Sequence, residues 1–173
     1  VPDEVWFVQH LPVYTLGYAG SEKNIINKKE IPIVRSDRGG QVTYHGPGQL
    51  VVYFLLNIKR LGWGPKKLIF YLEEIFIRLI SQYNIKAKRK EGAPGIYVAD
   101  KKIASIGLKI KQGFSYHGVS LNVDMNLSPF DDINICGYKA LEATQINDLA
   151  SASIEQIKED LKSLLEDRSF KTA

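Results

Sequence analysis

The chain has 173 residues, 45% of them hydrophobic and 24% charged, with 23 basic against 19 acidic side chains for a net charge of +4. This is the composition of one globular domain, expected to span residues 1–173, and it excludes intrinsic disorder and low-complexity fibres. The single cysteine, Cys136, excludes an internal disulfide and a zinc site built from several thiolates. No apolar run reaches membrane-spanning length.

Residues 5–9 and 13–16 read as short strands separated by Leu11-Pro12, and 33–35 as a third. The stretch Arg38-Gly39-Gly40-Gln41-Val42-Thr43-Tyr44-His45-Gly46-Pro47-Gly48-Gln49 follows, in which glycine turns bracket a short strand over 41–44. Leu50 to Asn57 is apolar on both faces, which predicts a central, buried strand. Gly64-Pro65 opens a helix with proline where its missing N–H is harmless. Leu68, Leu72, Ile75, Phe76, Leu79, Ile80 and Tyr83 form its apolar face, Glu74 and Arg78 make an i,i+4 ion pair, and Asn84 ends it.

Lys86, Lys88, Arg89 and Lys90 are the densest basic cluster; without interleaved aromatics they do not make a nucleic-acid surface. Ala93-Pro94-Gly95 predicts a type II turn. Asp100-Lys101 and Gln112-Gly113 then delimit two strands, 102–110 and 114–123, in a hairpin pattern. Residues 126–143 are irregular and polar, a length that points to a functional loop. Ser153 caps a last helix over 154–167, with Gln156 completing a capping box and Ile154, Ile157, Leu161, Leu164 and Leu165 as its buried stripe. Strands outnumber helices without regular alternation. The fold class is therefore α+β, a mixed sheet with flanking helices.

Cys136 lies in Asn134-Ile135-Cys136-Gly137-Tyr138, inside the irregular loop. A lone cysteine is by default inert packing, but this one lies off any periodic apolar face. To act as a nucleophile it needs a base or cation nearby. His10, His45 and His117 have no metal-ligand spacing, so no metal is expected. His45, set among glycines, is the one best placed to face a ligand. The glycine stretch is not a P-loop, because no Gly-Lys-Ser/Thr follows. It is not a dinucleotide fingerprint either, because Val51 stands where the third glycine belongs. Its two glycine turns suit a long, thin ligand better than a phosphate. In Lys102-Ile103-Ala104-Ser105-Ile106-Gly107 the small residues leave room beside a strand.

Segment 38–49 is followed in order by 93–98, 102–107, Ser115-Tyr116-His117-Gly118, Leu121-Asn122-Val123 and Asn134 to Tyr138. Together these blocks resemble the octanoyl (lipoyl) transferases, which move an octanoyl group from acyl carrier protein to a lysine of lipoyl domains. The resemblance spans residues 3–138 and is loose beyond Ala140. It implies the α/β fold shared with biotin and lipoate protein ligases, with Cys136 as catalytic cysteine and Lys102 as catalytic lysine. It places the acyl site on Arg38, Gly39, Gly40, Gln41, Val42, Thr43, Tyr44 and His45, on Ser105, Ile106 and Gly107, and on Gly118, Val119 and Ser120. Backbone N–H groups near Gly107 or Gly118 would hold the oxyanion.

The same resemblance implies a cytoplasmic enzyme without cofactor or metal. Its donor would be octanoyl-acyl carrier protein, and its acceptors the lipoyl domains of 2-oxoacid dehydrogenases and the glycine cleavage H protein. Neither nucleic acid nor membrane would be a partner. Both protein partners are acidic as classes, which suits the net positive charge. Two departures stand out: Ile135 replaces the family's usual proline, which leaves that loop less rigid, and the family begins upstream of Val1, so an N-terminal segment is expected to precede it. An ATP-dependent lipoate ligase would need no cysteine, and a non-catalytic acyl-binding module would not need Cys136 and Lys102 together.

Overall fold

A computed structural model describes residues 2–167, apart from the side chain of Cys136. In chain order the elements are β1 (Glu4–Val8), β2 (Val13–Leu16), β3 (Ile33–Arg35), β4 (Val42–His45), β5 (Gln49–Leu55), α1 (Pro65–Ser81), β6 (Lys88–Lys90), β7 (Ala93–Val98), β8 (Lys101–Lys111), β9 (Phe114–Asn122) and α2 (Ile154–Glu166). The strands form two sheets: a six-stranded one in the order β1-β5-β9-β8-β7-β6 and a three-stranded one in the order β3-β2-β4. The larger is antiparallel throughout. The mixed character expected of one sheet belongs to the smaller, where β2 runs parallel to β3 and antiparallel to β4. No helix among the described residues is long and apolar enough to cross a membrane.

The hairpin of β8 and β9 turns at Gln112 and Gly113, with φ of 53° and 86°, and β7 meets β8 through Ala99 and Asp100, with φ of 45° and 66°. Two successive positive φ values match the twist of antiparallel strands, so both turns fix register without strain on the ladder. One face of the large sheet is covered by the helices. Leu72, Ile75, Phe76 and Leu79 of α1 and Ile157, Leu161 and Leu164 of α2 pack on Val52, Phe54, Ile96, Val119 and Leu121. A second, smaller core joins Tyr14, Leu16, Val42 and Tyr44 of the small sheet to Met125, Phe130, Ile133 and Ile135 of the loop beyond β9. Ile135 is 1% exposed. Burying such a side chain is worth about 1.5–3 kcal/mol, so apolar anchoring holds the segment that the loss of proline was expected to loosen.

Some local expectations give way to tertiary contacts. Helix α1 ends at Ser81, and Asn84, with φ of 59°, belongs to the turn beyond it. Glu74 bonds Arg89 of β6 at 2.7 Å, a partner that helical spacing does not reveal, while the buried Glu73 accepts from Arg89 Nε and from the Gly95 N–H. The turn expected at Pro94-Gly95 lies earlier, at Glu91-Gly92, where Gly92 has φ of 71°. Pro94 is inside β7, where the register with β6 breaks and no ladder N–H is required. Gly95 serves another need: a Cβ there would come within 2.6 Å of Lys102 Cε. In the capping box, Ser153 accepts from the Gln156 N–H, but the Gln156 side chain turns to Asp160.

Candidate active site

Strand β7 covers only the start of β8, pairing with residues 101–104. The open edge beyond is taken by the glycine segment, whose Gly39 N–H donates to Leu108 O at 2.8 Å. Arg38 holds that segment in place by donating to Thr15 O, Thr15 Oγ1, Gly39 O and Gln41 O at 2.8–2.9 Å. Its guanidinium is thereby engaged in building the loop. Gly107 is the residue this crossing requires, since a Cβ there would meet Arg38 Cδ at 2.9 Å.

Between the two sheets lies a cavity of about 670 Å³. Every residue expected to bind the acyl chain lines it except Gly39 and Tyr44. Alternation along β4 explains the second exception. Tyr44 is 4% exposed, set against Tyr14 and edge-on to Phe130 in the smaller core, while Thr43 and His45 face the cavity. His10, Thr15, Val51 and Tyr53 line it too, and the sequence did not single out the last three.

A second cavity, of about 480 Å³, lies on the α1 side of the glycine segment. Gly40, Gln41, Ile106 and Gly107 line both cavities, so the two meet there. Lys102 lines the second one. It is 4% exposed, with Nζ 5.7 Å from the centre of the Tyr97 ring. The adjacent Lys101 points outward to Glu142 at 2.8 Å. The loop returns to this point: Lys102 N–H donates to Glu142 O and Thr144 N–H donates to Lys102 O, at 2.8 and 2.9 Å. The 3-10 turn Ile135–Gly137 sits against Gln41, because a Cβ on Gly137 would lie 3.5 Å from Gln41 Cγ and Cδ. Tyr138 lines the second cavity beside Lys102. The turn bearing Cys136 thus lies against Gln41, where the cavities join, and Tyr138 beyond it lines the same cavity as the buried Lys102. The Cys136 side chain itself lies outside the described residues.

Two buried oxygens in this region, Gln41 Oε1 and Thr43 Oγ1, have no hydrogen-bond partner among the described residues. An unpaired buried acceptor costs about 1–3 kcal/mol, and such groups persist where a ligand completes them. The two glycines suggested as oxyanion donors are differently employed. Leu108 O points out to Gly39, so the adjacent Gly107 directs its own N–H and C=O across to its ladder partner Gly118. Both N–H groups belong to the sheet.

His45 accepts no role as a cation. Gln49 Nε2 donates to Tyr44 O and Asn122 Oδ1, which leaves Gln49 Oε1 to accept from His45 Nδ1 at 2.8 Å. Desolvation drives the imidazole down to about 4, opposed by the Gln49 bond. Asn122 Nδ2 continues the chain of bonds to Thr144 O, next to the pairing with Lys102. The neutral state has a consequence for stability. Below the ordinary pKa of 6.5 the unfolded chain takes up a proton that the folded chain, at about 4, refuses. This contribution is intact above pH 6.5 and is lost as pH falls towards 4, at about 2 kcal/mol between pH 7 and pH 5. Urea unfolding at those two pH values should show that loss, and His45→Gln should remove most of it; an unchanged pH dependence in the variant would assign it elsewhere.

The lipoyl protein ligase A/B catalytic domain matches residues 1–166. In fold the chain is similar to a bipartite lipoate protein ligase from Thermoplasma acidophilum, at a TM-score of 0.77 and 15% identity over 94% of this chain and 69% of that one. It is more distantly similar to the biotin protein ligase of Aquifex aeolicus, at a TM-score of 0.54 and 13% identity over 95% and 71%. The chain belongs to the lipoyl protein ligase A/B catalytic domain family, and its fold is the biotin/lipoate ligase fold. Within that family it is 50% identical to the octanoyltransferase of Dechloromonas aromatica over 97% of this chain and 84% of the relative. It is 49% identical to that of Vibrio atlanticus over 92% and 73%. This is an acyltransferase of the octanoyltransferase group.

Proposed function

We propose that the enzyme transfers an octanoyl group from octanoyl-acyl carrier protein to a lysine of lipoyl domains, through a thioester on Cys136. The thiolate of Cys136 attacks the carbonyl of the donor thioester. The bond to the donor sulfur breaks, and the departing thiolate takes its proton from Lys102. The acceptor amine then attacks the new thioester, Lys102 removes a proton from the attacking nitrogen, and Cys136 leaves as thiolate. Lipoyl domains of 2-oxoacid dehydrogenases and the glycine cleavage H protein are the acceptors. One observation carries this reading: a lysine 4% exposed lines the cavity that opens into the acyl cavity, and it is paired with the returning loop that bears the only cysteine. Its test is incubation with octanoyl-acyl carrier protein without ATP, followed by intact mass and peptide mapping. One octanoyl group on Cys136 is expected; no adduct, or a strict need for ATP, would favour a ligase instead.

The acyl chain fits the cavity between the sheets, whose walls include Val51, Val119 and the strand glycines. Each buried methylene contributes about 0.8 kcal/mol, so a hexanoyl donor, two carbons shorter, should lose about tenfold in kcat/KM. Equal efficiency with both donors would mean that the chain lies outside the cavity.

A further inference from the structure

The cavity that holds Lys102 is larger than catalysis by that lysine requires, and its rim is basic. Its volume of about 480 Å³ far exceeds the four-carbon stem of an incoming lysine. Much of the lining, including Ile69, Leu108 and Ile110, is apolar. It joins the acyl cavity at Gly40 and Gln41, so an acyl chain seated between the sheets has its reactive end facing this space.

The rim is built from three segments, each continuing into lysine. Pro65 leads to the exposed Lys66 and Lys67 in the first turn of α1, Tyr138 leads to the exposed Lys139, and Gly92 follows Lys88 and Lys90 of β6. The α1 lysines run against the helix dipole, and the first turn holds no acidic residue to offset them. They do not serve helix stability. Lys88 and Lys90 share one carboxylate, Asp100, at 3.4 and 3.3 Å, and Lys90 also lies 4.7 Å over the ring of Tyr97 in the cavity wall. Arg89 is turned away to Glu73 and Glu74. Even with Glu91 at the turn, the rim carries a positive excess.

We propose that this cavity is the port through which the pantetheine arm of the carrier-protein donor reaches Cys136, and that the lysine rim docks the acidic surface of that carrier. The proposal rests on the octanoyl-transfer reading above. A long, thin arm fills the space, and an acidic protein body complements the rim.

The test compares octanoyl-acyl carrier protein with octanoyl-pantetheine, which has the arm but no protein. The double variant Lys66→Glu/Lys67→Glu alters only exposed side chains and, with carboxylates now matching the helix dipole, should have a thermal midpoint no lower than the wild type's. It should lose about tenfold or more in kcat/KM with the carrier protein, retain kcat/KM with octanoyl-pantetheine within twofold, and lose part of the salt sensitivity that the wild type displays with the carrier. Equal losses with both donors, an unchanged response to the carrier, or a defect confined to the lipoyl-domain acceptor would each overturn the docking assignment. Failure of the wild type to pass octanoyl from pantetheine to a lipoyl domain would instead overturn the transfer reaction itself.

Discussion

Cys136→Ser should reduce acyl transfer by on the order of 10³-fold or more while leaving the fold intact. In the proposed mechanism the thiolate is the nucleophile, and exchange between two thioesters is close to thermoneutral. A serine hydroxyl is not ionised at neutral pH and would form an oxygen ester that the acceptor amine displaces less readily. The turn has anchors on both sides of Cys136. Ile135 anchors the turn in the smaller core, and Gly137, with φ of 78°, lies against Gln41. The variant should therefore match the wild type in circular dichroism and thermal midpoint, and should show no octanoyl adduct by mass. Transfer at the wild-type rate would remove Cys136 from the chemistry.

The legible parts of this molecule are those whose cause is local. The β8–β9 hairpin follows from Gln112-Gly113, and the Ser153 cap of α2 from its own hydroxyl. Strand β6 was not legible: Lys88, Arg89 and Lys90 have no strand pattern, and their segment is held by Glu73 and Glu74 of α1 clasping Arg89. Gly95 was misread as a turn because what it accommodates is Lys102, a strand away. The same division runs through the site. The glycine segment announces itself because its requirement for close backbone approach is written in consecutive residues. Val51 and Tyr53 also line the cavity, yet β5 is apolar on both faces and so hides which of its residues face the helices and which face a ligand. Tyr44 sits within the motif by sequence and outside the cavity by alternation.

Lys102→Met should slow acyl transfer by about 10²- to 10⁴-fold, the usual worth of a positioned acid-base group, while Lys101→Met should leave it unchanged. The two lysines are adjacent in sequence and opposite in situation. Lys102 is buried over Gly95 and beside the Tyr97 ring, whereas Lys101 pairs with Glu142 at the surface. The pair separates a catalytic role from general loss of positive charge. Alkylation gives a second readout. A free thiol has a pKa of about 8.5, and a nearby cation lowers it, so loss of Lys102 should move the alkylation profile of Cys136 upward in pH. Lys102→Arg keeps a charge that does not deprotonate; it should preserve alkylation better than turnover, because activation of the thiol survives while proton transfer does not. Equal effects of Lys101→Met and Lys102→Met would end the assignment of the pair. His45 does not then inherit the role of cation, since burial holds its pKa down to about 4 against the opposing bond to Gln49. His117, which lines the acyl cavity and is paired with Asp37 at 2.7 Å, would then be the next candidate to activate the thiol.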